Sequence, residues 1–484
     1  MDALFVAVNA KYVHTNIAVR YLTRSCEAKG FDCSFAEFTI NEQKDIILKK
    51  LYMTDTNMYG FSCYIWNIGL VIEISRNLKK LKPWCRIVLG GPEVSFDAEK
   101  VLAENEFIDF VFLGEGELLW TEFLKDIPKT RQVVCGERTE NMDELPFPYT
   151  NDDLKNVVAG EKLVYYETSR GCPFSCAYCL SSTTDGVRFL SLERVKAELK
   201  RFAEFGVMTV KFVDRTFNAD KKRAVEIWKY CLSLSGDTCF HFEIGADLIT
   251  DEAIEVLKAA PKGKLQFEIG VQTTNETTIS EISRTMNLDV LKENVKALKE
   301  QTNVMLHLDL IAGLPFEDLE SFKKSFDDVY RLKPHVLQLG FLKLLKGSRL
   351  RENADSYEML FLDFAPYEIF SNKWISYSEI ISLKGVEDVL ERYMNSGRFC
   401  RTLETIDEII DSPFVFFEKL ARFFDKRGLI GQGVKRITLY GLLYEFLKEE
   451  LNDEDLRKVM CEMKKDFSDW HSNGVGTPDW YKKY

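Results

Sequence analysis

Three cysteines stand close enough in the chain to wrap one metal centre: Cys172, Cys176 and Cys179, in the run Thr168-Ser-Arg-Gly-Cys172-Pro-Phe-Ser-Cys176-Ala-Tyr-Cys179. Their C-x3-C-x2-C spacing follows a predicted strand, in a loop that carries Gly171 and Pro173. Three thiolates on a four-iron cube leave one iron open. An open coordination position is what separates a reactive metal site from a structural one. Zinc is the plain alternative, but it wants a fourth ligand nearby, and no His or further Cys lies between Cys179 and Cys231. A disulfide reading fails on the odd count. Cys26, Cys33, Cys63, Cys85, Cys231 and Cys239 are isolated in apolar stretches and read as small buried hydrophobes.

A loop of this kind needs a rigid element to hold it, and the chain offers two alternating series. Over residues 1–125, short apolar runs at 4–8, 33–38, 58–63, 86–90 and 108–113 alternate with amphipathic stretches such as 17–29 and 68–81. This rhythm predicts a doubly wound parallel sheet with its ligand at the carboxyl ends of the strands. Residues 126–160 are polar and acidic and carry Pro146 and Pro148, so they read as a linker. A second series has strands at 163–168, 210–214, 240–245, 265–271, 305–312 and 336–342. Helices at 192–204 (after Ser191 as N-cap), 219–234 and 319–332 intervene. Six β-α units predict a partial barrel, with chemistry again at the strands' carboxyl ends. Beyond about residue 346 the strand signal fades. Phe416, Leu420, Phe423 and Phe424 repeat at helical spacing, and 437–451 is a further amphipathic run. The expected division is 1–135, a linker at 136–160, 161–345, and a helical domain at 346–484.

Composition narrows the setting. Of 484 residues, 46% are hydrophobic and 29% charged, the balance of a soluble globular protein. A net charge of -12 and a pI of about 5.3 argue against a broad grip on nucleic acid. No run approaches the roughly 18 apolar residues of a membrane span. The opening MDALFVAVNAKYVH lacks a basic region followed by a signal core, so a reducing cytoplasmic location is expected.

C-x3-C-x-aromatic-C at the first strand of a six-unit barrel resembles the radical S-adenosylmethionine (SAM) superfamily. The resemblance implies a partial (β/α)6 TIM-type barrel and a 4Fe–4S cluster on Cys172, Cys176 and Cys179. In that family the open iron chelates the amino and carboxylate groups of SAM, which is then cleaved to a 5′-deoxyadenosyl radical. Tyr178 takes the aromatic position beside the adenine. Asp214, in Phe212-Val-Asp214-Arg-Thr-Phe, falls where the family meets the SAM amino group, although two glycines of the common motif are absent. Glu243, Gln272 and Asp309 fall at strand ends where related enzymes contact SAM. The LDLIAGLPFED segment resembles that of oxygen-independent coproporphyrinogen oxidase, with Ile311 and Gly313 as an apolar seat for adenine.

In the amino-terminal series no G-x-G-x-x-G follows the first strand. Its landmarks are Ser62-Cys63-Tyr64, Gly90-Gly91-Pro92 and Gly114-Glu115-Gly116, with residues 65 through 89 between the first two. These resemble the landmarks of Rossmann-like cobalamin-binding domains, where a Ser hydroxyl meets the nucleotide base and bare glycines let that tail pass. The loop Tyr12-Val-His14-Thr-Asn-Ile17 keeps a His but not the Asp and Gly of the cobalt-ligating motif. His14 therefore reads either as a cobalt ligand or as a hydrogen-bonding loop residue. Asn9, Lys11 and Tyr12 share that loop and would line the cofactor.

The resemblance implies C-methylation of an unactivated carbon in a small-molecule or peptide substrate, with a flavodoxin or ferredoxin as electron donor. A non-methylating cyclase or rearrangement enzyme is the second reading. A cobalamin- or redox-sensing binding protein is the third. Methylthiolation is disfavoured, because residues 1–135 hold only scattered Cys26, Cys33, Cys63, Cys85 and Cys135. Lys343, Lys346 and Arg349 are candidates to hold an anionic substrate, Arg215 and His307 to face the cavity, and the helical domain to close it.

Overall fold

The computed structural model describes residues 1–183, 186–470, 478, 480 and 481. Strand β1 (Ala3–Asn9) is buried along its whole length, as a central strand covered on both faces must be. It pairs in parallel with β2 (Cys33–Thr39) and β3 (Met58–Ser62), and β4 (Arg86–Gly90), β5 (Phe110–Leu113) and β6 (Gln132–Cys135) continue the sheet. The order is β2-β1-β3-β4-β5-β6. Strand order reverses between β1 and β3, so the loops leaving those two strands diverge and open a crevice.

β6 lies inside the stretch read as linker. It forms because β5 offers it an open edge, with Phe110 opposite Gln132 and Leu113 opposite Cys135. The stretch also contains the helix Asn151–Ala159, whose capping box joins Thr150 and Asp153. Tyr149, Leu154 and Val157 from this segment are buried in the core of the second half. Pro146 and Pro148 end just before the cap, so they mark a helix start rather than a loose tether.

The second sheet runs in simple sequence order: β7 (Val164–Tyr166), β8 (Thr209–Phe212), β9 (Cys239–Ile244), β10 (Leu265–Gln272), β11 (Met305–Ala312) and β12 (Val336–Phe341), all parallel. Helix Leu192–Glu204 begins after Ser191 as expected, but the Ser191 side chain makes no cap; its N–H instead donates to Asp143 at 2.9 Å. Along β10, Leu265, Phe267, Ile269 and Val271 are buried under the outer helices, whereas Gln266, Glu268, Gly270 and Gln272 are half-buried. The half-buried set faces inward. A packed barrel would fill that face with branched apolar side chains. This one is hollow and polar.

The carboxyl-terminal part is helical, with Tyr377–Tyr393, Pro413–Asp425, Arg436–Glu450 and Asp453–Trp470 as its long helices. A short antiparallel ribbon, Leu360–Phe361 with Ile369–Ser371, precedes them and was not evident from the pattern. Phe414, Phe417, Leu420 and Phe424 are fully buried, and Phe326 and Tyr330 of the barrel's last helix meet Phe414 and Phe417 ring to ring at 5.4 and 5.8 Å. Barrel and helices therefore share one continuous apolar core. Among the described residues no helix is long and apolar enough to cross a membrane.

Gly91 has φ +111°, and a Cβ there would lie 2.7 Å from the Cys63 carbonyl oxygen. Gly91→Ala should cost about 1–3 kcal/mol of strain and lower the thermal unfolding midpoint. Gly69, exposed near the start of helix Ile68–Leu81 with open space around it, is the control. Gly69→Ala should leave the midpoint unchanged or raise it, and equal midpoints for the two variants would refute the close-approach argument.

Candidate active site

Strand β7 hands the chain directly to the cysteine loop, and Asp214 fixes the handover. At the end of β8 its buried carboxylate accepts from the Thr168 N–H at 2.7 Å, from the Ser169 hydroxyl at 2.8 Å and from the Thr168 hydroxyl. Asp214 lines neither of the cavities described below. Its expected contact with a SAM amino group is corrected: both oxygens are used in holding the loop. Gly171 follows with φ +100°, and a Cβ there would strike the Gly186 carbonyl. Further along, the Ala177 N–H donates to Ile282 O at 2.8 Å and its carbonyl accepts from Leu350 N–H at 2.9 Å.

So pinned, Cys172, Cys176 and Cys179 line one cavity of about 200 Å3. Among the described residues no three His, Cys, Asp or Glu side chains gather tightly enough for a single metal ion. Three thiols spread around a cavity suit the wider span of a four-iron cube. Thr216 Oγ1 lies 3.6 Å from Cys172 Sγ, and the Ser181 N–H donates to Cys179 Sγ at 3.4 Å. Burial pushes the Cys176 thiol up, and the Arg284 guanidinium, 3.8 Å away, opposes that by favouring the thiolate. Arg284 also donates to the Tyr178 hydroxyl at 3.0 Å and to the Gly270 carbonyl. It was not evident from the sequence, because it sits in a loop between two helices with no motif around it.

The barrel wall completes this cavity with Glu243, Gln272 and Asp309. Gln272 has φ +72° beside a register shift at the end of β10, and its Oε1 is buried with no hydrogen-bond partner. Asp309 Oδ1 is likewise buried and unpartnered. Such orphaned acceptors cost free energy unless a ligand meets them. Burial, with Glu268 and Glu243 nearby, pushes the Asp309 carboxyl up to about 8. Burial and Glu268 push Glu243 up to about 7. Burial alone would raise Glu268 too, but the His241 hydrogen bond and Lys211 Nζ at 2.9 Å hold it down to about 2. These residues fit a zwitterionic, hydroxyl-bearing ligand such as SAM. Ile311 and Gly313 do not join them. Ile311 is half-buried on the same face of β11 as Asp309 but outside the cavity lining, and Gly313 faces Ile369 of the ribbon, 2.8 Å from where a Cβ would stand. His307, pushed down to about 4 by burial, is a Gln266 partner at 3.0 Å and lines neither cavity.

A second cavity of about 590 Å3 opens where the carboxyl ends of the two sheets face each other. Asn9, His14 and Tyr64 line it from the loops after β1 and β3, at the switch in strand order. Tyr64 stacks on Trp66 at 4.4 Å, giving a flat aromatic shelf suited to a macrocycle. Burial, Lys11 and Lys211 push the His14 imidazole down, so it is neutral near pH 7. Among the described residues its ring makes no hydrogen bond. Lys11 and Tyr12 are exposed instead, with Lys162 over the Tyr12 ring at 4.9 Å. Ser62 is spent on the Val6 carbonyl at 3.3 Å, and buried Cys63 donates its N–H to Gly90 O at 2.8 Å. Gly90, Gly91, Gly114 and Gly116 also lie outside the cavity lining. Gly114 backs on the Gly136 carbonyl and Gly116 on Leu22, so these glycines serve close chain packing. Glu115 is no cofactor ligand either: Arg188, Arg170 at 3.1 Å and the Thr139 N–H at 2.8 Å occupy it.

Those contacts belong to the joint between the halves. Arg170 reaches Glu117 at 2.5 Å and Glu167 at 2.9 Å as well as Glu115. On the other flank Lys346 pairs with Asp97 at 2.9 Å and Glu93 at 3.5 Å, and Tyr367 donates to Glu93. Arg349 is bonded to the Ser175 carbonyl, and Lys343 is exposed outside both cavities. Lys346 and Arg349 are thus engaged within the protein, and Lys343 lies away from both cavities. Arg215 and Glu243 line both cavities and so form the wall they share.

Comparison with known proteins agrees with this architecture. Residues 3–124 match the family described as B12 binding domain, residues 166–329 the Radical SAM superfamily, and residues 355–484 the family described as Protein of unknown function (DUF4080). A 2-(S-pantetheinyl)-carbapenam-3-carboxylate methyltransferase of Streptantibioticus cattleyicolor is 26% identical over 353 residues, covering 65% of this chain and 51% of that protein. The chain thus spans about half the length of that relative. An uncharacterised methyltransferase of Pyrococcus horikoshii is 27% identical over 340 residues, 65% of this chain and 72% of that protein. The solved structure of the cobalamin-dependent S-adenosylmethionine radical enzyme OxsB, with aqua-cobalamin and SAM bound, has the same fold. It covers 96% of this chain and 79% of its own, at TM-score 0.66 and 13% identity.

Two measurements probe the site. Asp214→Ala strips an acceptor worth about 1.5–3 kcal/mol per charged hydrogen bond. Iron bound per chain after anaerobic reconstitution should fall, and an unchanged iron content would remove Asp214 from its loop-holding role. The Asp309 carboxyl, at about 8, holds in the fold a proton that an ordinary carboxyl near 4 releases. Its contribution to stability is therefore full at low pH and lost as pH rises towards 8. The metal-free chain should lose thermal stability from about pH 4 to about pH 8, and Asp309→Asn should flatten that slope. Parallel slopes for the two proteins would reject the raised carboxyl.

Proposed function

As a member of the cobalamin-binding radical SAM superfamily, this chain, we propose, is a methyltransferase acting on an unactivated carbon of a small-molecule or peptide substrate. When bound, the cluster with SAM supplies a hydrogen-abstracting 5′-deoxyadenosyl radical, and cobalamin supplies the methyl group. The chain's own residues do the holding. Cys172, Cys176 and Cys179 would grip the cluster, while Tyr178, Glu243, Gln272 and Asp309 would grip SAM. Asp309 carries its proton near neutrality, so it can donate to a ligand oxygen through one oxygen and accept through the other. Asn9, His14 and the Tyr64–Trp66 shelf would flank cobalamin. On this division residues 1–135 serve cobalamin, 161–345 serve cluster and SAM, and 346–484 close the barrel. A cytoplasmic setting and a flavodoxin or ferredoxin as electron donor belong to the same reading.

The observation that supports methyl transfer is the wall shared by the two cavities. A substrate at Arg215 and Glu243 faces the thiol-lined cavity on one side and the β1–β3 crevice on the other. The salt-bridged joint around Arg170 ties the two halves together beside that meeting place.

Anaerobic incubation of the reconstituted chain with methyl-labelled SAM, cobalamin and reductant tests the proposal. Both S-adenosylhomocysteine and 5′-deoxyadenosine are expected. Cys176→Ser should abolish the second product. Formation of 5′-deoxyadenosine without S-adenosylhomocysteine would replace methyl transfer with non-methylating cyclase or rearrangement chemistry, and absence of both would leave a binding protein.

A further inference from the structure

Five Lys or Arg side chains reach the two cavities. Four are engaged: Arg170 by three carboxylates, Lys346 by Glu93 and Asp97, Lys211 by Glu268, and Arg284 by the Tyr178 hydroxyl and the Gly270 carbonyl. The fifth is Arg215. Among the described residues it makes no hydrogen bond and no ion pair, and it is exposed within the shared wall. Its backbone is nonetheless fixed on both sides, since Asp214 before it is tied into the cysteine loop and Thr216 after it touches Cys172. Its charge is felt in both directions, by Glu243 on the barrel and by Tyr64 across the joint.

Being exposed, Arg215 stays solvated and incurs no burial penalty, so its donors are available to an incoming anion. Arginine presents a planar fork of donors that matches an oxyanion with two parallel hydrogen bonds. The surrounding acids offset it only in part: near pH 7 Asp309, at about 8, is mostly protonated, and Glu243, at about 7, is about half ionised. The rest of the wall is mixed, with Tyr165, Lys211, Glu268 and Asp309 beside the apolar Ile65 and Val213. We propose that Arg215 anchors an oxyanion of the substrate, a carboxylate or phosphate, so that the substrate carries an anionic group held where the two cavities meet. The inference deepens the methyltransferase reading, since it names the class of molecule that reading leaves open.

The test uses binding rather than turnover, so it stays readable if methyl transfer fails. The full chain, reconstituted with cluster and cobalamin, is titrated calorimetrically with inorganic phosphate and separately with succinate. Saturable binding of at least one of the two is expected, weakened about 10-fold or more in Arg215→Gln and partly kept in Arg215→Lys. The tighter probe tells phosphate from carboxylate. Equal binding to wild type and Arg215→Gln, or no binding of either probe to wild type, would overturn the assignment. SAM affinity is measured in the same variants: a loss of similar size there would give the guanidinium to SAM's own carboxylate and overturn it too.

Discussion

Arg170 stands two residues before the first cluster thiol and sets its guanidinium among Glu115, Glu117 and Glu167. The first two carboxylates belong to the amino-terminal sheet's last loop and helix, the third to the end of β7. Everything the site does depends on this joint, because it fixes the distance between two sets of strand ends that share no strand. With Arg188 also on Glu115, two cations face three acids in a poorly solvated place. Burial eases the excess of negative charge by raising Glu167 to about 7, where it is about half protonated at neutral pH. The remaining ion pairs are costly to desolvate yet more costly to break, at about 3–5 kcal/mol for a lost partner. Such a joint contributes little to net stability. It contributes a defined geometry.

That geometry was only partly written in local sequence. The three candidate cluster cysteines stand out in the sequence because they lie within eight residues of each other, and β-α alternation exposed both sheets. What failed was long-range. Glu115 looked like part of a cofactor loop because its partners Arg170 and Arg188 lie more than fifty residues on. Gly90 and Gly91 are expected from sequence to let a nucleotide tail pass, whereas the bodies that crowd Gly91, Gly114 and Gly116 are Cys63, Gly136 and Leu22. Arg284 carried no pattern at all; only the closing of β10 against its following helices brings it to Cys176. β6 was hidden by charge and proline in its surroundings, since an edge strand needs only one paired side.

The hollow barrel has its own cost. Along β10 the outward residues supply the apolar core while the inward ones carry charge, so the strand stabilises the fold from one face and the chemistry from the other. The inner face keeps two orphaned acceptors and a positive φ at Gln272, and none of these helps folding. The outer face offsets this by joining the carboxyl-terminal helices in a single core through Phe326, Tyr330, Phe414 and Phe417. The carboxyl-terminal helices are in this sense part of the barrel's support.

The end of β8 shows how tightly the two demands are interleaved. Asp214 and Arg215 are adjacent, oppositely charged and used in opposite ways. Asp214 is fully satisfied within the protein, and its immobility keeps the cysteine loop in place. Arg215 is left unsatisfied, and its freedom has meaning only because its neighbour is not free. Were the two to pair with each other, the loop would lose its anchor and the shared wall would lose its only uncommitted cation among the described residues. Their separation is enforced by Thr168 and Ser169, which saturate Asp214 before Arg215 can reach it. Two hydroxyl residues at the end of β7 thus decide where positive charge is available at the centre of the molecule.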